Sequence, residues 1–367
     1  MVKDYMKDRV RRIFQALRET CDCILIKNGS SPNIDHNFFY VTGLDQGLFE
    51  GSYVICYPDG GFEVIVPELE SEIAYTAKGH VHTYKNRHEA GVIIKKLLSS
   101  FKRIGLNNSS LSTHDYIKLK EHFKDSFFID VSEALMETRL IKDKEEIEII
   151  RHACSISDKT MENVGSLISE NMKEYELAAE IDYLLVRNGA DKPAFETISS
   201  FGVNTSKPHH THSDNTLKKN DFIICDFGAC YRRYNSDITR TFIYGSTSKK
   251  QQEMYSVVAE AQRKGLDNIR SGVPGSMIHN AVASYIDSTP FKGGFIHSTG
   301  HSLGLSVHEG PVLSSDSDFI LKENMILTVE PGVYIPGYGG VRVEDDILVK
   351  KDGYELLTSS MKDLYEL

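Results

Sequence analysis

CDFGACYRRYNSDITRTF, Cys225 to Phe242, is the stretch from which the fold of this chain is read. The apolar run Phe222 to Cys225 closes on one carboxylate, Asp226. A polar, Gly-containing turn follows, and the chain enters a second strand-like run through another carboxylate, Asp237. Aspartate is depleted in strands. Two of them facing each other across a turn repel unless something positive lies between, and a metal ion or a pair of ions is the simplest candidate. Taken alone, the two read more simply as solvated turn residues. The rest of the chain has to decide.

Downstream, GGFIHSTGHSLGLSVHEGP places His297, His301 and His308 among glycines, where backbone can approach a ligand closely. The apolar run Met325 to Val329 then ends in Glu330, followed by Pro331 and Gly332, so another carboxylate closes a strand-like run. In VRVEDDILV, strand alternation puts Arg342, Glu344 and Asp346 on one face and Val341, Val343 and Ile347 on the other. Separately, each feature has an ordinary reading: a structural histidine, a solvent-exposed strand end, an exposed ion-pair network. Together, Asp226, Asp237, Glu330 and Glu344 contribute a formal charge of about −4, which two divalent cations would neutralise. Oxygen-dominated donors with one imidazole favour Mn²⁺ or Co²⁺ over a cysteine-rich zinc site.

Working outward, 367 residues suffice for two domains. The net charge of −10 offers no basic stripe for nucleic acid. The opening residues, MVKDYMKDRVRRIFQALRE, carry charges throughout, and no apolar run is long enough to span a bilayer, so a cytoplasmic protein is expected. Six cysteines without a CxxC pair, mostly inside apolar runs, suit reduced, buried thiols. The spacing of Met6, Val10, Ile13, Phe14 and Leu17 predicts a first amphipathic helix. Strands are expected at Cys23 to Ile26, in FFYVTGL ending at Leu44, and at Arg103 to Leu106. A hairpin is expected about Pro58-Asp59-Gly60-Gly61, and helices at 88–101 and 113–123. This alternation makes residues 1–133 a small α/β domain. A second domain is expected from 134, in which TRLIKDKEEIEIIRHA, beginning at Thr138, leads into a long helix. Asn171 with Glu174 resembles a capping box for the next helix, which ends at Asn188-Gly189. Two further helices, 249–271 and 276–288, follow the Asp226 hairpin. Two helix-then-hairpin halves would allow an internal pseudo-symmetry in residues 134–367.

In their order, CDFG with NSDITRTF, GHSLGLSVHEGP, VEPGVY and GGVRVEDD resemble the Xaa-Pro dipeptidases (prolidases) and aminopeptidase P, metallopeptidases of the pita-bread fold. RLIKDKEEIEIIRHA and FETISSFGVNTSKPHHTHSD are similar to that family's leading catalytic segments. The N-terminal domain more loosely resembles its creatinase-like domain. The resemblance implies a mixed α/β (α+β) protein, with a small creatinase-like domain before a pita-bread catalytic domain. It implies five ligands for two divalent ions, Mn or Co before Zn or Fe. Asp237 and Glu344 would bridge, Asp226 would complete one ion, and His301 with Glu330 the other. His209 takes the place of a proton-shuttling or substrate-orienting histidine, with His210 and His212 close enough to leave that choice open. His297 and His308 match the histidines near the scissile bond, Arg342 the arginine beside the bridging glutamate, and Tyr334 the tyrosine after the EPG turn.

The implied reaction is hydrolysis of an Xaa-Pro bond by water activated between two cations, with Glu330 taking the water proton and His297, His308 and His209 stabilising the developing oxygens. The expected substrate is a short proline-containing peptide, most simply a dipeptide, and the expected assembly a homodimer. Rival readings are an aminopeptidase P acting on longer Xaa-Pro peptides, a methionine aminopeptidase, a metal-free creatinase-type hydrolase, and a non-catalytic pita-bread binding protein. The last two sit poorly with a complete ligand set.

Overall fold

The structure, a computed structural model, describes residues 5–364 and 366. The chain divides into two compact units, Met1–Arg139 and Leu140–Leu367. Among the described residues, no helix is long and apolar enough to cross a membrane.

In the first unit, β1 (Cys23–Lys27), β2 (Tyr53–Cys56), β3 (Phe62–Pro67), β4 (His80–Tyr84), β5 (Arg103–Leu106) and β6 (Phe127–Asp130) form one sheet in the order β4-β3-β2-β1-β5-β6. The β1–β2 and β2–β3 pairs are antiparallel and the others parallel. Cys23, Leu25, Ile55, Ile65 and Ile104 pack with Ile94 and Leu98 of helix Arg87–Leu98. The expected turn forms, with Gly60 at φ 94° and its N–H donating to the Tyr57 carbonyl over 3.0 Å.

FFYVTGL is not a strand. His36–Thr42 is a helix, capped by the Asp35 side chain accepting from Asn37 N and closed by Gly43 at φ 71°, whose N–H donates to the Phe39 carbonyl. Every residue from Asn37 to Thr42 is buried. A short helix buried all round has no polar face, so its aromatic and β-branched composition imitates a strand.

The second unit holds β7 (Lys192–Pro193), β8 (Ile198–Phe201), β9 (Phe222–Phe227), β10 (Ala229–Tyr231), β11 (Tyr234–Asn235), β12 (Ile238–Ile243), β13 (Ile326–Val329), β14 (Gly332–Ile335), β15 (Gly339–Arg342), β16 (Asp345–Lys350) and β17 (Gly353–Leu356). Two three-stranded antiparallel sheets, β12-β9-β8 and β13-β16-β17, carry the site. Helices Lys144–Leu167 and Glu174–Arg187 precede the first, and Lys249–Leu266 and Gly275–Asp287 precede the second, so the order helix, helix, sheet occurs twice. Ile223, Cys225 and Phe227 pack with Ile156, Met161 and Ile181 of the first helix pair, which sends the alternate residue Asp226 to the opposite face. Leu327, Val329, Ile347 and Val349 likewise pack with Leu266 and Ile278.

Two further expectations change. VRVEDDILV is not one half-exposed strand. β15 ends at Arg342 and β16 begins at Asp345, while Glu344 N donates to the Thr239 carbonyl over 3.1 Å. Arg342, Glu344 and Asp346 are all under 4 % exposed, so no solvated ion-pair face exists there. Nor is Asn171 a helix cap: it sits at φ 65°, and the N-cap is Lys173, whose N–H donates to Glu176 Oε2 over 2.8 Å. Glu174 is committed elsewhere, as described below.

Candidate metal centre

Asp226 lies on β9 opposite Thr239 of β12, and Asp237 immediately precedes β12. Thr239 also bridges to Glu344, so one residue gathers three strand segments. On the other side, His301 N donates to Thr328 Oγ1 (3.0 Å) and its carbonyl accepts from Thr328 N (2.8 Å), which fixes the imidazole beside the end of β13. Glu330 follows β13, with its N–H on the Thr299 carbonyl at 2.8 Å. The five residues singled out in the sequence therefore surround one space.

Asp237, His301 and Glu344 each present a donor atom such that all three lie within 4.8 Å of one another. His301 Nε2 is 3.6 Å from Asp237 Oδ2 and 3.5 Å from Glu330 Oε1. Its Nδ1 faces the Ser302 carbonyl at 3.3 Å, so the proton belongs on Nδ1 and the Nε2 lone pair points at two carboxylates. Burial and the neighbouring His308 push the imidazole down to about 4, so it is neutral at pH 7. Acceptor facing acceptor in the interior is unfavourable unless a cation lies between them.

The carboxylates carry the same signature. Burial first, then Glu344 and Asp226, hold the Asp237 carboxyl well above the usual range, and burial with Glu330 and Asp226 does the same to Glu344. Glu330 is pushed up to about 7, chiefly by burial. Asp226 Oδ1 and Asp237 Oδ1 are buried without a hydrogen-bond donor. The donor set thus fits divalent cations, which would ionise these groups and satisfy the orphaned oxygens.

Asp226 Oδ2 accepts from Arg342 Nη2 at 2.5 Å, so the arginine braces Asp226 rather than the adjacent Glu344. Arg342 also donates to Tyr334 OH (2.8 Å), Thr239 Oγ1 (3.2 Å) and the Pro208 carbonyl (3.2 Å). Tyr334 OH meets His297 Nε2 at 2.9 Å, while His297 Nδ1 faces the Ser298 carbonyl at 2.7 Å. Burial and Arg342 lower His297 to about 4, so it is neutral, with the proton on Nδ1 and Nε2 accepting from the tyrosine. Both its nitrogens are engaged in the wall. His308 is exposed, its ring 4.4 Å from that of His301, and burial with the nearby His209 charge lowers its pKa.

The histidines of KPHHTHSD separate clearly. His210 Nε2 bonds Glu174 Oε2 at 2.9 Å and His212 Nδ1 faces the Thr197 carbonyl at 3.4 Å, whereas His209 is exposed and acts electrostatically on both His297 and His308. Lys207, Pro208, His209, His210, Ile296 and His297 line an open cleft of about 480 Å³.

Several contacts that hold the site were not read from the sequence. Thr239 Oγ1 donates to Glu344 Oε2 at 2.5 Å, and Asp346 Oδ2 accepts from Asp237 N at 2.8 Å. Arg240, 2 % exposed, donates to the Glu344 carbonyl (2.5 Å) and to Asp345 Oδ1 (2.8 Å). Asp345 also pairs with Lys362 and Gln262. The one legible signal of Arg240 is a charge at the centre of ITRTF, a counterpart to the acidic pair of VEDDILV.

Residues 148–351 match the model of metallopeptidase family M24, and residues 7–141 that of the creatinase/prolidase N-terminal domain. The chain belongs to metallopeptidase family M24. Its second unit is a pita-bread peptidase domain, preceded by a creatinase-type domain. As an M24 chain it is 35 % identical over 364 residues to the Xaa-Pro dipeptidase of Pyrococcus horikoshii, covering 98 % of this chain and 99 % of that one. The solved prolidase from P. horikoshii OT3 superposes with a TM-score of 0.88 at 35 % identity, over 98 % of this chain and all of that one. The X-Pro aminopeptidase from Thermotoga maritima MSB8 superposes with a TM-score of 0.91 at 30 % identity, again over 98 % and 100 %. Membership in M24 implies divalent metal ions, and the buried Asp/His/Glu cluster is where this chain can hold them.

Proposed function

We propose that this M24 peptidase hydrolyses Xaa-Pro dipeptides. The observation that carries the reading is the buried convergence of Asp237, His301 and Glu344, with an imidazole lone pair aimed at carboxylates. The near-full-length likeness to Xaa-Pro dipeptidases supplies the substrate. In this reading Asp237 and Glu344 would bridge two ions, Asp226 would complete one, and His301 with Glu330 the other. Four carboxylates and one imidazole favour Mn²⁺ or Co²⁺. When bound, the cations polarise the scissile carbonyl and make a water acidic enough to attack at neutral pH.

The chain's own groups do the rest. Glu330, whose Oε1 lies 3.5 Å from His301 Nε2, accepts the proton of the attacking water and returns it to the leaving proline nitrogen. An amide nitrogen departs as an amine only once protonated, and in an Xaa-Pro bond that nitrogen carries no hydrogen before this step. His297 holds Tyr334 and Arg342 in place as a positioning residue. His308 and His209, which are exposed, are left to face the developing oxyanion. The proposal includes a homodimer and a reducing, cytoplasmic setting; six free, buried cysteines support the latter. Glu330→Gln keeps the side-chain shape and removes the base, so turnover of an Xaa-Pro dipeptide by the Mn²⁺-loaded variant should vanish. Near wild-type turnover would overturn the assignment.

A further inference from the structure

A dipeptide differs from a longer peptide in carrying a free carboxylate directly after the scissile bond, and an enzyme for dipeptides must read that charge. Arg342 is not available for it, because its three guanidinium nitrogens are engaged by Asp226, Tyr334, Thr239 and the Pro208 carbonyl. Among the described residues lining the cleft beside His297, Lys207 carries the permanent positive charge.

Lys207 is exposed, yet its ammonium is held. Nζ donates to Asn204 Oδ1 at 2.8 Å, and Asn204 Nδ2 donates to Glu174 Oε1 at 2.9 Å. Glu174 is fully buried and anchors the whole segment from 201 to 215. Its carboxylate accepts from Phe201 N (2.7 Å), His210 Nε2 (2.9 Å), Ser213 Oγ (2.5 Å) and Asn215 Nδ2 (3.4 Å). One buried carboxylate therefore fixes both the asparagine that carries Lys207 and the imidazole next to it. An ammonium has three N–H donors, and Asn204 uses one. The others are free to meet a carboxylate in the cleft, already oriented, so less side-chain freedom is lost on binding. The Pro208 carbonyl, bonded to Arg342, connects this segment to the metal-binding wall.

We propose that Lys207, positioned through Asn204 by Glu174, binds the C-terminal carboxylate of the substrate and so sets the preference for dipeptides. This rests on the Xaa-Pro reading above but concerns a separate residue. Mn²⁺-loaded protein is assayed on Ala-Pro and on its C-terminal amide, and kcat/KM for the acid over that for the amide is compared between wild type and Lys207→Gln. The ratio should fall about tenfold, the size of one charge-assisted hydrogen bond, with the change in KM for the acid rather than in kcat. Glu174→Gln should shift the ratio in the same direction by less. An unchanged ratio in Lys207→Gln overturns the proposal. Calorimetric binding of the acid and the amide to Glu330→Gln protein, with and without Lys207→Gln, reads the same preference without turnover. If wild type cleaves neither compound, the Xaa-Pro reading falls. Lys207 then stands only if Lys207→Gln abolishes a binding preference for the acid, and is overturned if no such preference exists or if it survives.

Discussion

Stripping the protein with a chelator and titrating Mn²⁺ back at pH 7 should release protons. The cause lies in the cluster itself. Burial pushes Glu330 up from 4.5 to about 7, and burial with mutual repulsion holds Asp237 and Glu344 well above the carboxylate range. At pH 7 Glu330 is then about half protonated, a preference of about 3 kcal/mol for the neutral form over an exposed glutamate. His301, lowered to about 4, is already neutral and contributes no proton. A cation needs all the carboxylates ionised, so binding displaces roughly half a proton from Glu330, together with whatever protons the raised Asp237 and Glu344 carboxyls hold. The same shifts fix the sign of the pH dependence. Between pH 4.5 and 7 the folded, stripped protein holds more protons at Glu330 than the unfolded chain does. The stability this group contributes is therefore full below 4.5 and is lost as pH rises through about 7. Metal-loaded protein should lack that decline. Titration calorimetry in buffers of different ionisation enthalpy measures the release directly, as the slope of apparent enthalpy against buffer enthalpy. A slope of zero, or one signifying proton uptake, refutes the reading of these carboxylates as a strained, cation-seeking cluster.

Two further outcomes are expected. Because Asp237 is assigned to both ions and Asp226 to one, Asp237→Ala should lose both metals by elemental analysis, while Asp226→Ala keeps one; equal contents would contradict the division. Asp158, inside helix Lys144–Leu167, accepts from Ser359 N (2.8 Å) and Ser360 N (2.9 Å) and from both serine hydroxyls. Asp158→Ala should cost about 1–3 kcal/mol in urea unfolding and hasten proteolysis near residue 359; an unchanged midpoint would show that these bonds are dispensable.

Much of the site was legible because its ligands punctuate the sequence. Asp226, Asp237 and Glu330 each stand where an apolar run meets a turn, and the glycines around His301 mark close backbone approach. What could not be read was burial on both faces. Arg342, Glu344 and Asp346 alternate as an exposed ionic face would, and only the shift of the chain from β14 to Thr239 shows that they point inward. The helix His36–Thr42 was lost for the same reason, since its aromatic residues leave no polar stripe. Glu174 looked like half of a capping box because capping is local, whereas the five donors that claim it lie 27 to 41 positions further along. Long-range commitments of a single polar side chain leave no periodic trace.

The central claim is tested most directly by measuring hydrolysis of an Xaa-Pro dipeptide and of a longer peptide beginning Xaa-Pro by the same Mn²⁺-loaded protein. The dipeptide should be cleaved to free amino acid and proline, with much lower kcat/KM for the longer substrate. Cleavage of the longer peptide alone would make this M24 chain an aminopeptidase P, and cleavage of neither would contradict the account altogether.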